Sequence, residues 1–131
     1  MSTPEVIRLP GGTTIVVILH ASAEVTLLEV TLERGTGPGL HRHSREHELV
    51  YVLEGELEVE INGQRSVITA EGTTFFPLGS VHRFAASPNA RVRAIFICVP
   101  GGLERFFRAF AFDPPLTDAI AASGVESVVP L

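Results

Sequence analysis

The chain alternates hydrophobic and polar residues over short stretches, which predicts β-strands along most of its length. In the stretch 25–33 apolar residues recur at alternate positions, and the stretch 13–19 is β-branched and apolar. The dipeptide Asn62-Gly63 separates two further stretches of this kind and is typical of a two-residue hairpin turn. Many short strands joined by tight turns favour an all-β jelly-roll barrel or sandwich.

The alternation changes phase near Gly55. Four glutamates at even positions predict a solvated face, so that the odd apolar residues of the stretch 57–61 point inward. Before Gly55 the inward positions must be the even ones if Glu48 is to reach an internal site. A glycine readily allows the bend or bulge that such a change requires. The outward glutamates are Glu54, Glu56, Glu58 and Glu60.

The C-terminal stretch predicts helices instead. Four apolar residues follow the i, i+3, i+4, i+7 spacing of an amphipathic helix, and Pro114-Pro115 ends it. A shorter helix over about 116–123 ends before Gly124, which suits a left-handed cap. The apolar stripe is expected to pack against the barrel or a partner subunit, and a lid over a pocket is the alternative. It consists of Leu103, Phe106, Phe107 and Phe110.

Length and composition narrow the class of protein. A chain of 131 residues predicts one domain over 1–131, with a barrel at about 13–99 and a helical extension at about 101–124. The net charge is −5 and the basic residues, all arginine, are scattered, so no nucleic-acid footprint is present. No apolar run approaches the roughly 20 residues that span a bilayer. The lone Cys98 excludes an intramolecular disulfide, and a start without a basic and apolar leader predicts a cytoplasmic protein.

Histidine and glutamate side chains mark a candidate metal site. His41 and His43 are two residues apart and share a face of an extended chain, whereas Glu48 has the opposite parity and needs a bend across 44–47 to join them. His82 is the next histidine in a strand-like context. Three imidazoles and one carboxylate suit a single divalent transition metal, namely Fe, Mn, Ni, Co, Cu or Zn.

Neighbouring residues offer alternatives to this ligand set. Glu46 has the parity to compete with Glu48, whereas His47 should point the opposite way, toward a surface or rim. Burying Glu48 among neutral imidazoles without a cation would cost several kcal/mol or force its protonation, which a metal avoids. Three aromatic residues are candidates for an apolar substrate pocket near the metal, although such residues more often belong to the core: Phe84, Phe96 and Tyr51.

The sequence resembles the cupin superfamily at these positions. Gly35, His41, His43, Glu48 and Gly55 fit the first cupin motif at every spacing. The resemblance implies a double-stranded β-helix in which the four metal ligands project into the barrel, and commonly a homodimer. The resemblance also favours Glu48 over Glu46 as the carboxylate ligand.

The second cupin motif matches in part. Pro77, Gly79 and His82 fit, but Glu71 stands where its first glycine is expected and Ala86 replaces its terminal asparagine. These departures concern turns and strand pairing rather than the ligands. The tail after residue 100 resembles that of small single-domain bacterial cupins related to quercetinase-type dioxygenases.

A fold shared by many reactions leaves three functional hypotheses. The first is a metal-dependent, dioxygenase-type oxidoreductase that acts on a small oxygenated aromatic or polyketide-like substrate together with O2, since four protein ligands leave about two coordination positions open. In this hypothesis Glu48 serves as ligand or as general base. The second is a non-catalytic small-molecule-binding module, and the third is a metal-assisted isomerase or cyclase.

Overall fold

The computed structural model describes residues 4–112 and 114–128. Within them the chain forms mostly strands, followed by two short helices and a final short strand, in agreement with the predicted all-β fold. The elements are β1 Glu5–Arg8, β2 Thr14–Ala21, β3 Thr26–Leu32, β4 His41–His43, β5 His47–Glu54, β6 Leu57–Ile61, β7 Gln64–Ile68, β8 Thr73–Phe76, β9 Val81–Ala86, β10 Val92–Val99, α1 Glu104–Phe110, α2 Thr117–Ala122 and β11 Val125–Ser127.

These strands build two antiparallel sheets. One has the order β1-β2-β3-β10-β5-β8 and the other the order β11-β4-β9-β6-β7. Neighbours such as β4 and β9 are far apart in sequence, as expected for a jelly roll, in which the chain crosses repeatedly between the sheets. The predicted double-stranded β-helix is therefore confirmed.

The core lies between the two sheets and follows the predicted period of two. In β3 every second residue is buried, including Leu28, Val30 and Leu32. In β10 the inward residues are Val92, Ala94, Phe96 and Cys98, all of them buried. Burial raises the pKa of the Cys98 thiol, which stays protonated as a small apolar residue.

The phase change at Gly55 is also confirmed. Val50 and Val52 are buried before this glycine, and Leu57 and Val59 are buried after it. Gly55 has a φ of +85°, and a Cβ there would collide with the carbonyl oxygen of Arg91. Glycine is thus required where the chain turns from one sheet into the other.

The C-terminal segment contains the two predicted helices and one strand that was not predicted. The helices α1 and α2 agree with the predicted ones, and Gly124 has the expected positive φ of 82°. The strand β11 was not predicted, and β1 pairs with β2, so the sheets reach beyond the expected limits of 13–99. The ends of the predicted domain, residues 1–3 and 129–131, lie outside the described residues.

Two buried polar residues attach this segment to the barrel. The hydroxyl of Thr26 in β3 donates a hydrogen bond to Oε1 of Glu104 at 3.1 Å and accepts one from the backbone N–H of Gly102 at 2.9 Å. At the surface, Arg108 of α1 pairs with Glu5 of β1 at 2.8 Å. Neither described helix is long and apolar enough to cross a membrane.

Candidate metal centre

Three imidazoles converge inside the barrel. His41 and His43 project from β4, and His82 projects from the adjacent strand β9, where it is the direct cross-strand partner of His41. One ring nitrogen from each histidine lies within 4.8 Å of the other two. Two neighbouring strands of one sheet thus bring together residues that are distant in sequence.

Backbone and hydroxyl groups orient two of these rings. Nδ1 of His41 lies 2.9 Å from the carbonyl oxygen of Gly39, to which it donates as the N–H tautomer. Nδ1 of His82 lies 3.2 Å from both the carbonyl and the hydroxyl oxygen of Ser80. In that tautomer each Nε2 presents its lone pair, as a metal ligand must. The role of Ser80 was not predicted from the sequence.

Glu48 reaches the imidazoles from the other sheet. Its Oε1 lies 3.0 Å from Nε2 of His43, and its Oε2 lies 3.9 Å from Nε2 of His82. The bend expected across 44–47 is present at Ser44 and Arg45, and the backbone N–H of Ser44 donates to the carbonyl oxygen of Gly124. The structure therefore brings three of the predicted ligands, the imidazoles, into one cluster and places the fourth, Glu48, beside two of them.

A second carboxylate lies behind His43. Glu46 is only 3% exposed, and its Oε2 lies 3.3 Å from Nδ1 of His43, although the two groups are not aligned as a hydrogen bond. The parity that it shares with Glu48 was the sequence signal for its inward direction. His47, in contrast, points outward, where its Nδ1 accepts a hydrogen bond from the N–H of Leu78.

Burial and charge move the pKa values of the imidazoles in opposite directions. Burial tends to lower the pKa of His43, but contacts with Glu46 and Glu48 outweigh it and raise the value to about 9. Burial lowers the pKa of His82 to about 4 against the attraction of Glu48, and it also lowers the pKa of His41. In the metal-free protein a proton therefore resides on His43, between two carboxylates.

Unpartnered polar atoms are concentrated in this cluster. In the described part of the chain, four buried side-chain atoms lack a hydrogen-bond partner: Nδ1 of His43, Oε2 of Glu46, Oε2 of Glu48 and Nε2 of His82. Each such group costs about 1–3 kcal/mol when it is left unpaired. A divalent cation among the Nε2 atoms and Glu48 would partner two of the four directly, so the residues present fit a metal of the predicted kind.

A cavity of about 640 Å³ leads away from the imidazoles. Phe84 and Phe96 line it as predicted, with ring centroids 5.1 Å apart, and Phe84 lies 6.0 Å from the ring of His41. The prediction for Tyr51 is wrong. It stands three residues after Glu48 on β5, so it points to the opposite face of the sheet and is 37% exposed.

The helix α1 forms the outer wall of this cavity. Phe106, Phe107 and Phe110 are half-buried and line it, and the rings of Phe106 and Phe110 stack with centroids 5.6 Å apart. Ile120 of α2 and Val125 of β11 complete the wall. The apolar stripe thus serves the cavity as well as the packing of the helix.

Comparisons with known proteins agree with this architecture. The family model described as "Cupin domain" matches residues 28–99. The chain is similar to the polyketide synthase CurC of Streptomyces cyaneus, with 33% identity over 46% of this chain and 39% of that protein. It is also similar to germin-like protein 3-7 of Oryza sativa subsp. japonica, with 32% identity over 78% of this chain and 47% of that protein. The chain spans less than half of the length of these curated relatives.

Among solved structures, an RmlC-like cupin from Shewanella frigidimarina superimposes with a TM-score of 0.69 at 24% sequence identity, covering 78% of this chain and 88% of that one. This likeness supports the fold. The family match covers more than half of the chain and includes all four residues of the candidate metal centre. The chain therefore belongs to the cupin family.

Proposed function

We propose that the protein is a metal-dependent oxidoreductase of the dioxygenase type, with a small oxygenated, aromatic or polyketide-like substrate. His41, His43, Glu48 and His82 would hold one divalent transition metal. The observation that carries this proposal is the concentration of unpartnered buried polar atoms around one point, since a cation there compensates the buried charge of Glu48. Fe, Mn, Ni, Co, Cu and Zn all suit these ligands. A location in the cytoplasm stays a prediction from the sequence.

When bound, such a metal supplies Lewis acidity and about two open coordination positions, for a substrate hydroxyl or enol and for O2. The protein supplies orientation and proton handling. Glu48 lines the cavity, so it acts as a ligand or as the base that takes a proton from a substrate hydroxyl. The phenylalanines around the cavity exclude water from the reacting groups.

The proposed dioxygenase reaction requires only O2 and the organic substrate. Both oxygen atoms of O2 enter the organic substrate, which itself supplies the electrons, so that no external reductant is required. The similarity to a polyketide synthase component supports a polyketide-like substrate, and the aromatic lining of the cavity supports a ring-containing one. A binding module would instead retain the ligand unchanged, and an isomerase or cyclase would convert it without consuming O2.

Elemental analysis tests the metal centre. Protein purified without added metal should contain about one equivalent of transition metal per chain, and His82→Ala should lose it while the far-UV circular dichroism stays that of a β-protein. His20→Ala is the matched control, because His20 is exposed and its ring forms a hydrogen bond with the nearby Ser22. Retention of the metal in His82→Ala would overturn the ligand set.

Oxygen uptake tests the reaction. The protein reconstituted separately with each candidate metal is given flavonols or dihydroxyaromatic compounds in an oxygen-electrode cell, and stoichiometric uptake with one metal is expected. Product formation without uptake would favour the isomerase or cyclase. Ligand-dependent thermal stabilisation without any product would favour the binding module.

We also propose that the protein is a homodimer. The outer face of the six-stranded sheet carries exposed apolar side chains on two adjacent strands, where Leu49 of β5 is the cross-strand partner of Phe75 of β8. A contiguous apolar patch on a sheet face is typical of a surface that a second chain covers. Its members are Leu49, Tyr51, Leu53 and Phe75.

A further inference from the structure

The cavity next to the metal centre has an unusual balance of charge for this protein. The chain contains ten basic residues, all arginine, yet none of the described residues that line the cavity is an arginine. Its ionisable lining groups are His41, His43 and Glu48, all at the inner end. The remaining polar groups are hydroxyls and backbone atoms of threonine, serine and glycine residues.

The inner end also carries no surplus positive charge once a metal is bound. The two buried carboxylates, Glu48 and Glu46, lie beside His43 and offset the charge of a divalent cation held there. A carboxylate or phosphate group that lies away from the metal would therefore enter without a cationic partner. Proteins that recognise such groups in buried sites normally supply arginine or lysine side chains for them.

The walls show what the cavity accepts instead. Five phenylalanines line it, with Phe84 and Phe96 on the barrel side, facing the three of α1, and leucine, isoleucine, valine and proline side chains fill the spaces between them. A volume of about 640 Å³ lies in the range of cavities that enclose a ligand of a few fused or linked rings. Aromatic side chains contribute stacking and edge-to-face contacts to flat ligands beyond the burial of area. The stripe members are Phe106, Phe107 and Phe110.

We propose that this cavity selects uncharged, flat, ring-containing ligands that carry a metal-binding pair of oxygen atoms at one end, and that α1 is its specificity-determining wall. The proposal deepens the proposed function, on which it rests for the metal-binding end of the ligand. The preference for uncharged rings follows from the phenylalanines that line the cavity and from the absence of arginine among the described lining residues. It applies to a binding module as well as to an enzyme.

A matched pair of naphthalenes tests this preference. The compound 2,3-dihydroxynaphthalene is uncharged and has adjacent oxygens, and its 6-sulfonate differs by one permanent negative charge. Each competes with the neutral fluorescent probe N-phenyl-1-naphthylamine for the purified protein, with and without metal. The uncharged compound is expected to bind at least about tenfold more tightly, because burying an unpaired sulfonate has a large desolvation cost.

Variants of α1 test the role of the wall. Phe107→Ala should weaken binding of the uncharged compound several-fold, and Phe110→Arg should narrow or invert the preference by giving the sulfonate a partner. Phe112→Ala is the matched control, because Phe112 is exposed, lies just after α1 and is outside the cavity lining. Where Phe107→Ala unfolds, Phe107→Leu retains apolar volume but removes the ring.

The outcomes separate this inference from the proposed reaction. Equal or tighter binding of the sulfonate to the unaltered protein overturns it, as does the failure of both naphthalenes to displace the probe. Equal effects of Phe107→Ala and Phe112→Ala on the binding of the uncharged compound would show that α1 does not determine the specificity. Selective binding without oxygen uptake would support the proposed ligand preference of the cavity. It would count only against the proposed dioxygenase reaction.

Discussion

Nδ1 of His43 and Oε2 of Glu46 lie 3.3 Å apart inside the barrel, on residues separated by the bend between β4 and β5. His41 and His82 are oriented by Gly39 and Ser80 instead, through uncharged oxygens. A carboxylate behind a metal-binding imidazole fixes its tautomer and increases its basicity. Glu46 is therefore the charged member of the set of groups that position the three rings.

Removing this carboxylate is expected to weaken the metal centre. Glu46→Ala should reduce metal affinity about 10- to 100-fold, as is typical when such an outer partner is lost. Glu46→Gln should weaken the metal affinity less, since its amide keeps a polar oxygen close to Nδ1 of His43. Competition with a chromophoric chelator measures the affinity, and Glu58→Gln on the exposed face of β6 is the control. Unchanged affinity in Glu46→Ala would contradict the positioning role.

The stability of the metal-free protein should depend on pH on both sides of about 6.5. The pKa of His43 is raised from 6.5 to about 9, so its contribution is complete below 6.5 and is lost as the pH rises through 9. The pKa of His82 is lowered from 6.5 to about 4, so its contribution is complete above 6.5 and is lost as the pH falls toward 4.

Each loss should be on the order of 1–3 kcal/mol in the free energy of unfolding. Urea denaturation of chelator-treated protein between pH 4 and pH 9 measures it. In His43→Gln the free energy of unfolding should no longer fall as the pH rises above 6.5. Its fall as the pH decreases toward 4 should remain. A curve for this variant that still falls above pH 6.5 would assign the alkaline loss to another group.

Replacing Glu71 by glycine is expected to stabilise the protein. Glu71 has a φ of +72°, a left-handed conformation that is costly for a residue with a Cβ, and its side chain is exposed. Glu71→Gly should raise the free energy of unfolding by about 0.5–1 kcal/mol. Thermal unfolding measures the change, with Glu58→Gly on β6 as a destabilising control. A lower melting temperature for Glu71→Gly would refute this expectation.

The buried Thr26 should matter for the attachment of the C-terminal segment. Thr26→Val conserves volume but leaves Glu104 and the N–H of Gly102 without the hydroxyl, so a loss of about 1–3 kcal/mol is expected. Thr31→Val, on the half-buried outer side of the same strand, is the control. Urea denaturation compares the two, and equal midpoints would show that the hydroxyl contributes nothing.

The proposed dimer gives a further expectation. Phe75→Glu places a charge in the apolar patch of the six-stranded sheet and should raise the dimer dissociation constant by more than about tenfold. Analytical ultracentrifugation measures it, with Phe112→Glu as the control for an exposed phenylalanine outside the patch. A monomeric unaltered protein would exclude the dimer.

Local periodicity explains how much of the fold was predictable. Strands bury alternate residues, so the inward faces of β3 and β10 and the phase change at Gly55 follow from the order of residues alone. The same rule places Tyr51 on the face of β5 opposite to Glu48 and so outside the cavity, although an aromatic side chain suits a substrate pocket. The motif spacing anticipated that His82 would face the other two histidines.

Contacts between distant segments were not predictable in the same way. The strand β11 is too short to give a pattern, and it exists because β4 offers it an unpaired edge. The burial of Glu46 depends on how sharply the bend at Ser44 turns, which a run of polar residues does not specify. That α1 faces the cavity depends on its attachment through Thr26, a residue that looks ordinary in sequence.

The pairing of β11 with β4 has a consequence for biosynthesis. The strand with two of the three imidazoles completes its hydrogen bonding only when residues 125–127 have left the ribosome. A nascent chain that ends earlier leaves that edge of β4 without its partner strand. The strand that carries His41 and His43 is therefore among the last parts of the barrel to acquire a partner strand during synthesis.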